Sequence, residues 1–237
     1  MDKKRVSKAF IDLIDLVKRL RGPDGCPWDR EQSDLSIKTY VIEEAYEVLD
    51  AIERGVPDDV CQELGDLLFQ ILFLVDMAEE KGQFCFLEVL EKIRKKMIDR
   101  HPHVFGDVKV RSPEEVSQNW VRIKEAEGKE NSEPRSAVMG TIPESLPALL
   151  RAHRLSERSL SLWLCREDHR EKWSGVEEAF QALRDAFEVR GEDLEEKLGM
   201  LLFKLSDLAR HLGLNAENAL RGANSKFLRD IQNPPIR

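Results

Sequence analysis

The segment "ELGDLLFQILFLVDMA" (63–78) constrains this chain more than any other. Leu64, Leu67, Leu68, Phe69, Ile71, Leu72, Phe73, Leu74 and Val75 wrap most of the circumference of one helix. Glu63, Asp66 and Gln70 share one narrow polar stripe on it, with Phe73 and Met77 at its edge. A helix this apolar is expected to pack on several sides, so the stripe faces a bundle interior or a cleft. A buried carboxylate left unpaired costs several kcal/mol or takes up a proton. Two in one stripe also repel, so basic side chains or a divalent cation must answer them.

The preceding segment carries the answering half. "YVIEEAYEVLDAIER" (40–54) reads as an amphipathic helix. Its apolar face is Ile42, Ala45, Tyr46, Leu49 and Ile52, and Glu43, Glu44 and Glu47 lie on the other side. Taken alone, such a glutamate cluster is ordinary solvated surface. Gly55 and Pro57 make a short turn, so the two helices become antiparallel neighbours. Glu44 and Glu47 then stand three apart on one helix, and Glu63 and Asp66 three apart on the next. Four carboxylates that converge suit a hard cation, Mg²⁺ or Mn²⁺, rather than zinc. The competing reading is a structural polar seam, but few basic residues lie on these faces to build one.

Helical periodicity runs through the rest of the 237 residues, and convincing alternating strands are absent. The fold class is all-α. Helices are expected over about 3–20, 35–54, 57–81, 86–100, 113–127, 148–165, 176–190, 194–211 and 216–230. Ser112 should cap the fifth of these, with Glu115 three residues on. "RGPDGCPWDREQS" and "HPHVFGDVKVRS" read as loops. "KENSEPRSAVMGTIPESLP" (129–147) reads as a linker, which gives domains of 1–130 and 148–237.

Acidic residues outnumber basic ones, 45 to 37, which argues against a nucleic-acid polymer as partner. A free nucleotide is not excluded, because a metal can neutralise its phosphates. Four scattered cysteines without a CxxC fit a reduced, cytoplasmic compartment. The start of the chain reads as an amphipathic helix rather than a signal peptide, and no apolar stretch is long enough to span a membrane.

Other candidates are more ambiguous. Lys92, Lys96 and Arg100 share a helix face, followed by His101 and His103. This is either an anion-binding wall or a solvated basic face with a structural HPH turn. Trp28 either stacks on a base or pins its loop to the core, and Asp29 and Gln32 are weaker base-contact candidates. Trp120 reads as packing, while Lys124, one turn on, is placed to reach phosphate.

The ordered motifs EExxE (Glu43, Glu44, Glu47) and ExxD (Glu63, Asp66) resemble the all-α nucleoside triphosphate pyrophosphohydrolases, the MazG family in particular. "GCPWDREQS" (25–33), "RHPHVFGD" (100–107), "WVRIKEAE" (120–127) and "TIPESLPALLRAHRL" (141–155) are similar to that family as well. The resemblance implies hydrolysis of a nucleoside triphosphate to a monophosphate and pyrophosphate. It implies metal ligation by Glu44, Glu47, Glu63 and Asp66, with Glu43 orienting or deprotonating water. It raises Lys96 and Arg100, with His101, to phosphate contacts. A homodimer is expected, because one hairpin leaves a side of the site open. The alternative function is a non-catalytic nucleotide-sensing or interaction module.

A faint repeat completes the picture. "KLGMLLFKLSDLARHL" (197–212) follows "ELGDLLFQILFLVDMA" at a spacing of 134 residues. Glu63 becomes Lys197 and Asp66 becomes Met200. With a connector four residues shorter, Glu43, Glu44 and Glu47 become Gln181, Ala182 and Asp185. Relatives often carry two such domains, the C-terminal one catalytic, so this chain departs from that pattern. "RGANSKF" (221–227), with Asn224 and Lys226, resembles the family's nucleotide-binding end. The expectation is an active first module and a degenerate second copy.

Overall fold

The computed structural model describes residues 2–113, 115–116, 119–120, 122–123, 142–163 and 168–232. No strand occurs among them, so the fold is all-α. They divide into two units, Met1–Lys109 and Val110–Arg237, a division that falls ahead of the expected linker.

In the first unit α1 spans Lys3–Arg21, where the Asp2 side chain caps it by accepting from the Arg5 N–H at 3.2 Å. A short helix, α2 (Pro27–Glu31), forms inside the expected loop, with Pro27 in its first turn. The α3 helix (Asp34–Arg54) opens on a reciprocal Ser33–Ser36 capping box. It ends at Gly55, whose φ of 73° only glycine adopts without strain. Two residues later Pro57 starts α4 (Pro57–Glu80), with Asp58 and Asp59 in its first turn. Arg54 and Asp59 bridge the turn at 3.1 Å. The chain continues through α5 (Phe86–Asp99) and the single turn α6 (Pro102–Phe105).

α3 and α4 pack along their length as the expected antiparallel hairpin, and α1 and α5 lie against α4. The core is Val17, Ile37, Leu72, Phe73 and Met77, ringed by Phe10, Ile14, Tyr40, Val41, Leu68 and Phe86. Each such large side chain contributes about 1.5–3 kcal/mol on burial. The core therefore gathers at the C-terminal half of α4.

The other half of the hairpin corrects two expectations. The face Ile42, Ala45, Tyr46, Leu49 and Ile52 is not the one α3 buries: Ile42, Leu49 and Ile52 are 46%, 41% and 57% exposed. α3 packs instead through Ile37, Tyr40, Val41 and Ala51. Leu64 of α4 is likewise 51% exposed, so α4 is not wrapped on all sides within its unit. Periodicity finds the widest apolar stripe; it does not say which neighbour covers it.

The second unit begins with helical residues at 113, 115–116, 119–120 and 122–123. Ser112 Oγ accepts from the Glu115 N–H at 3.3 Å, as a cap should. The Glu115 carboxylate reaches back one residue further than a capping box does, to the Arg111 N–H at 2.8 Å. Four longer helices follow: α7 (Ala148–Trp163), α8 (His169–Glu188), α9 (Leu194–His211) and α10 (Ala216–Gln232). α8 and α9 form a second hairpin, with α7 against α9 and α10 touching both α7 and α9. α8 starts at His169, not near 176, with the Asp168 side chain accepting from the Arg170 N–H at 3.3 Å. Its first turns are polar because Lys172 is used inward, against the buried Asp207 of α9.

Candidate metal centre

The hairpin of the first unit brings Glu44 of α3 to Glu63 and Asp66 of α4. One carboxylate oxygen from each lies within 4.8 Å of the others, with Glu44 and Glu63 half-buried and Asp66 exposed. The spacing of three on α4 puts its two acids on one face. Facing them, Glu44 belongs to the side of α3 that also carries Ile37, Tyr40 and Ala51. Glu47 stands beside this trio, close enough for its charge to act on both Glu44 and Glu63.

Charge repulsion marks the cluster. Burial, then Glu47, Asp66 and Glu63, push the Glu44 carboxyl above its ordinary value; a hydrogen bond from Gln70 opposes the rise. Burial and Glu47 likewise raise Glu63, and Arg54 opposes weakly. Arg54 is engaged with Asp59 and does not neutralise the set. Gln70 lies one turn beyond Asp66. A carboxylate accepts only, so Gln70 turns its amide N–H to Glu44, and its Oε1 is buried with no hydrogen-bond partner.

A divalent cation fits this donor set. All the donors are oxygens and none is answered by a closely paired base. Oxygens bound to one Mg²⁺ at ~2.1 Å lie about 3–4 Å apart, so small rotamer changes would close the trio around an ion. Glu43 is exposed and outside the trio.

The other expected site residues are dispersed. Lys92, Lys95 and Lys96 form an exposed basic face on α5, and Arg100 is half-buried at its C-cap. His101 Nδ1 lies 2.5 Å from the Met97 carbonyl, and its ring stands 5.6 Å from that of His103. Trp28 is 56% exposed on α2, its ring 6.0 Å from Tyr40. Asp29 is buried, and its carbonyl accepts from Arg21. Gln32 donates to the Trp28 carbonyl at 3.0 Å. Gln32 is thus bonded within its own loop, and Asp29 is turned away from solvent. Trp120 is half-buried, and Lys124 lies outside the described residues. Tyr40 and Arg21 were not legible as neighbours of Trp28. Tyr40 reads as one more apolar position of α3, and Arg21 meets its acids on α4, far along the sequence.

In the second hairpin the matching positions are occupied differently. Lys197 pairs with Asp193 at 3.5 Å, Met200 is exposed, and Gln181 donates to Asp185 at 2.6 Å. The trio Glu44, Glu63 and Asp66 is the one such acidic group among the described residues.

Comparison with known proteins gives a consistent result. Residues 32–105, from α3 to α6, match the model of the MazG nucleotide pyrophosphohydrolase domain. The nucleoside triphosphate pyrophosphohydrolase of Escherichia coli (strain K12) is 42% identical over 222 residues, which cover 92% of this chain and 83% of that protein. The nucleoside triphosphate pyrophosphohydrolase/pyrophosphatase MazG of Thermotoga maritima is 37% identical over 225 residues, 95% of this chain and 85% of that protein. A nucleoside triphosphate pyrophosphohydrolase of Mycobacterium tuberculosis is 31% identical over 154 residues, 64% of this chain and 45% of that protein.

Proposed function

This chain belongs to the MazG family of nucleotide pyrophosphohydrolases, and from that premise we propose that it hydrolyses nucleoside triphosphates to monophosphate and pyrophosphate through its first unit. The observation that carries this reading is the convergence of Glu44, Glu63 and Asp66 from two adjacent helices. With Glu47 they would hold Mg²⁺, for which Mn²⁺ can substitute. The ion would supply charge neutralisation on the triphosphate and a lowered pKa for water.

The protein's own groups complete the chemistry. A water oxygen forms a bond to the α-phosphorus, the α–β anhydride bond breaks, and pyrophosphate leaves with the bridging oxygen. Glu43 takes the water's proton and passes it to solvent. Lys96, Arg100 and His101 answer the phosphate charge that metal leaves over. Trp28 offers a face to the base.

Two further parts belong to this reading. A homodimer covers Ile42, Leu49, Ile52 and Leu64, whose exposure leaves the site half of the hairpin without a lid. The second unit is a degenerate copy that packs or regulates and does not cut. No helix among the described residues is long and apolar enough to cross a membrane, and we place the enzyme in the cytoplasm with free nucleotides, not nucleic-acid polymers, as substrates.

The test is pyrophosphate release from a panel of NTPs and dNTPs, with and without Mg²⁺, for wild type beside Glu63→Gln. Metal-dependent release of pyrophosphate and monophosphate, lost in the variant, is the expected result. Release that continues in Glu63→Gln would remove the first unit as its source.

A further inference from the structure

The segment joining α1 to α3 is held more firmly than its surface position requires. After α1 the chain turns so tightly that a Cβ on Gly25 would meet the Leu20 carbonyl oxygen at 2.1 Å. The Cys26 N–H donates to that same oxygen at 2.8 Å, and Pro27 then opens α2. Arg21 is the second anchor, its side chain 7% exposed. Nη1 donates to the Asp29 carbonyl at 2.7 Å, and Nε and Nη2 donate to the Glu80 carboxylate at 3.1 and 2.6 Å. Asp76 lies at 3.5 Å, and the Phe73 ring lies under the guanidinium at 5.1 Å. One planar fork from the last turn of α1 therefore ties α2 to the last turns of α4.

What this clamp fixes in place is Trp28. α2 turns Asp29 into the protein and leaves the neighbouring indole more than half exposed, against Tyr40. Tyr40 precedes Glu44 by four residues on α3, which is one turn, ~6 Å along the axis. A nucleotide held by its phosphates at Glu44, Glu63 and Asp66 would need an apolar face about one sugar away. An aromatic face held exposed by a buried ionic clamp suits a ring that covers it only on binding.

We propose that Arg21 is a positioning residue for nucleotide binding: by joining the Asp29 carbonyl to Glu80 and Asp76, it sets the Trp28–Tyr40 pair where the base of the substrate stacks. The assignment rests on the pyrophosphohydrolase reading above. Arg21 touches no substrate, so its effect passes through Trp28 and through binding rather than turnover.

The experiment compares Arg21→Gln, Arg21→Lys, Trp28→Ala and the Arg21→Gln/Trp28→Ala double variant, measuring kcat, KM for an NTP with Mg²⁺, and inhibition by pyrophosphate. Trp28→Ala and Arg21→Gln are each expected to raise KM about tenfold, the effect of losing one stacked base. Turnover at saturation and the pyrophosphate inhibition constant should stay near wild type, because pyrophosphate reaches only the metal side. The double variant should be no worse than the singles, since both remove one platform. Arg21→Lys keeps the charge beside Asp76 and Glu80 but cannot span to Asp29, so it should lose less thermal stability than Arg21→Gln and still raise KM as much. A wild-type KM in Trp28→Ala would overturn the proposal. So would KM effects that multiply in the double variant, or an Arg21 series that loses turnover at unchanged KM, the mark of a merely structural residue. Absence of pyrophosphate release by wild type would sink the pyrophosphohydrolase reading and this inference together. Wild-type turnover with an indifferent Trp28→Ala sinks this inference alone.

Discussion

The two hairpins, α3–α4 and α8–α9, are one design solved with opposite charge economy. In the first, carboxylates face each other across the helices with no base among them. In the second, the buried carboxylate of Asp207 is surrounded: Lys172, Arg210 and the Ser156 hydroxyl all donate to it. Burial would raise Asp207, yet those donors hold it down at about 2. At the spacing of 134 residues, Phe73 of the apolar core corresponds to Asp207, and Asp76 corresponds to Arg210. The second unit thus satisfies its acid from within. The first leaves its acids unsatisfied, and that deficit is what a cation can fill. On the proposed reading a metal site is a local imbalance of charge that the fold tolerates, whereas the buried acid of the second hairpin is paired.

The comparison can be tested at five points. Phe73→Ala should cost about 3–5 kcal/mol of the first unit's stability by emptying its core, read by denaturant unfolding; a loss under 1 kcal/mol would mean that the core lies elsewhere. Asp66→Asn should lower pyrophosphate release at least about a hundredfold, more than the loss expected for groups that only support ligands, with the circular dichroism spectrum unchanged. A variant with near-full turnover would remove Asp66 from the site. Mg²⁺ at 10–100 times its Kd should add about 1–3 kcal/mol to the unfolding free energy. That gain should appear as hydrogen-exchange protection in α3 and α4 and not in α8 and α9.

The response to pH should separate the units in sign. Glu44, Glu63 and Asp76 are raised, Asp76 by burial and the neighbouring Glu80 against Arg21. Without metal, these three groups should therefore add stability as pH falls into the carboxylate range, because the folded form binds their protons more readily than the unfolded form, while the lowered Glu79 and Glu88 of the same unit work against them. Asp207 is depressed, so its contribution is complete above 3.8 and is lost as pH falls through about 2. Exchange protection followed from pH 7 downward should rise in α4 before it falls in α9; parallel loss in both would contradict the contrast. The smallest effect is expected from restoring the acids of the second copy. Lys197→Glu with Met200→Asp should leave pyrophosphate release within about twofold, since Ala182 offers no carboxylate opposite them.

Much of this was legible in the sequence where local rules decide. Gly55 and Pro57 gave the hairpin, spacing gave the alignment of Glu63 with Asp66, and Ser112 gave a cap. What escaped depends on partners far along the chain. The inward role of Lys172, and with it the early start of α8, follows only from Asp207. Asp29 reads as a weak base-contact candidate, and its burial beside the carbonyl that Arg21 binds follows only from the distant acids on α4 that hold Arg21. The apolar stripe of α3 was legible, but its exposure within the unit was not, because periodicity carries no information about which surface is covered.

The turn at Gly55 and Val56 has a consequence for how the site comes into being. Fewer than two dozen residues separate Glu44 from Asp66, so the carboxylates meet through local contacts of low sequence separation. Such hairpins close early in folding, before distant elements dock. The repulsion among these acids is then already present in the transition state. An ion that relieves it should lower that barrier and raise the folding rate, with less effect on the rate of unfolding. On the metal reading proposed above, the cation would serve the speed of assembly as well as the chemistry that follows.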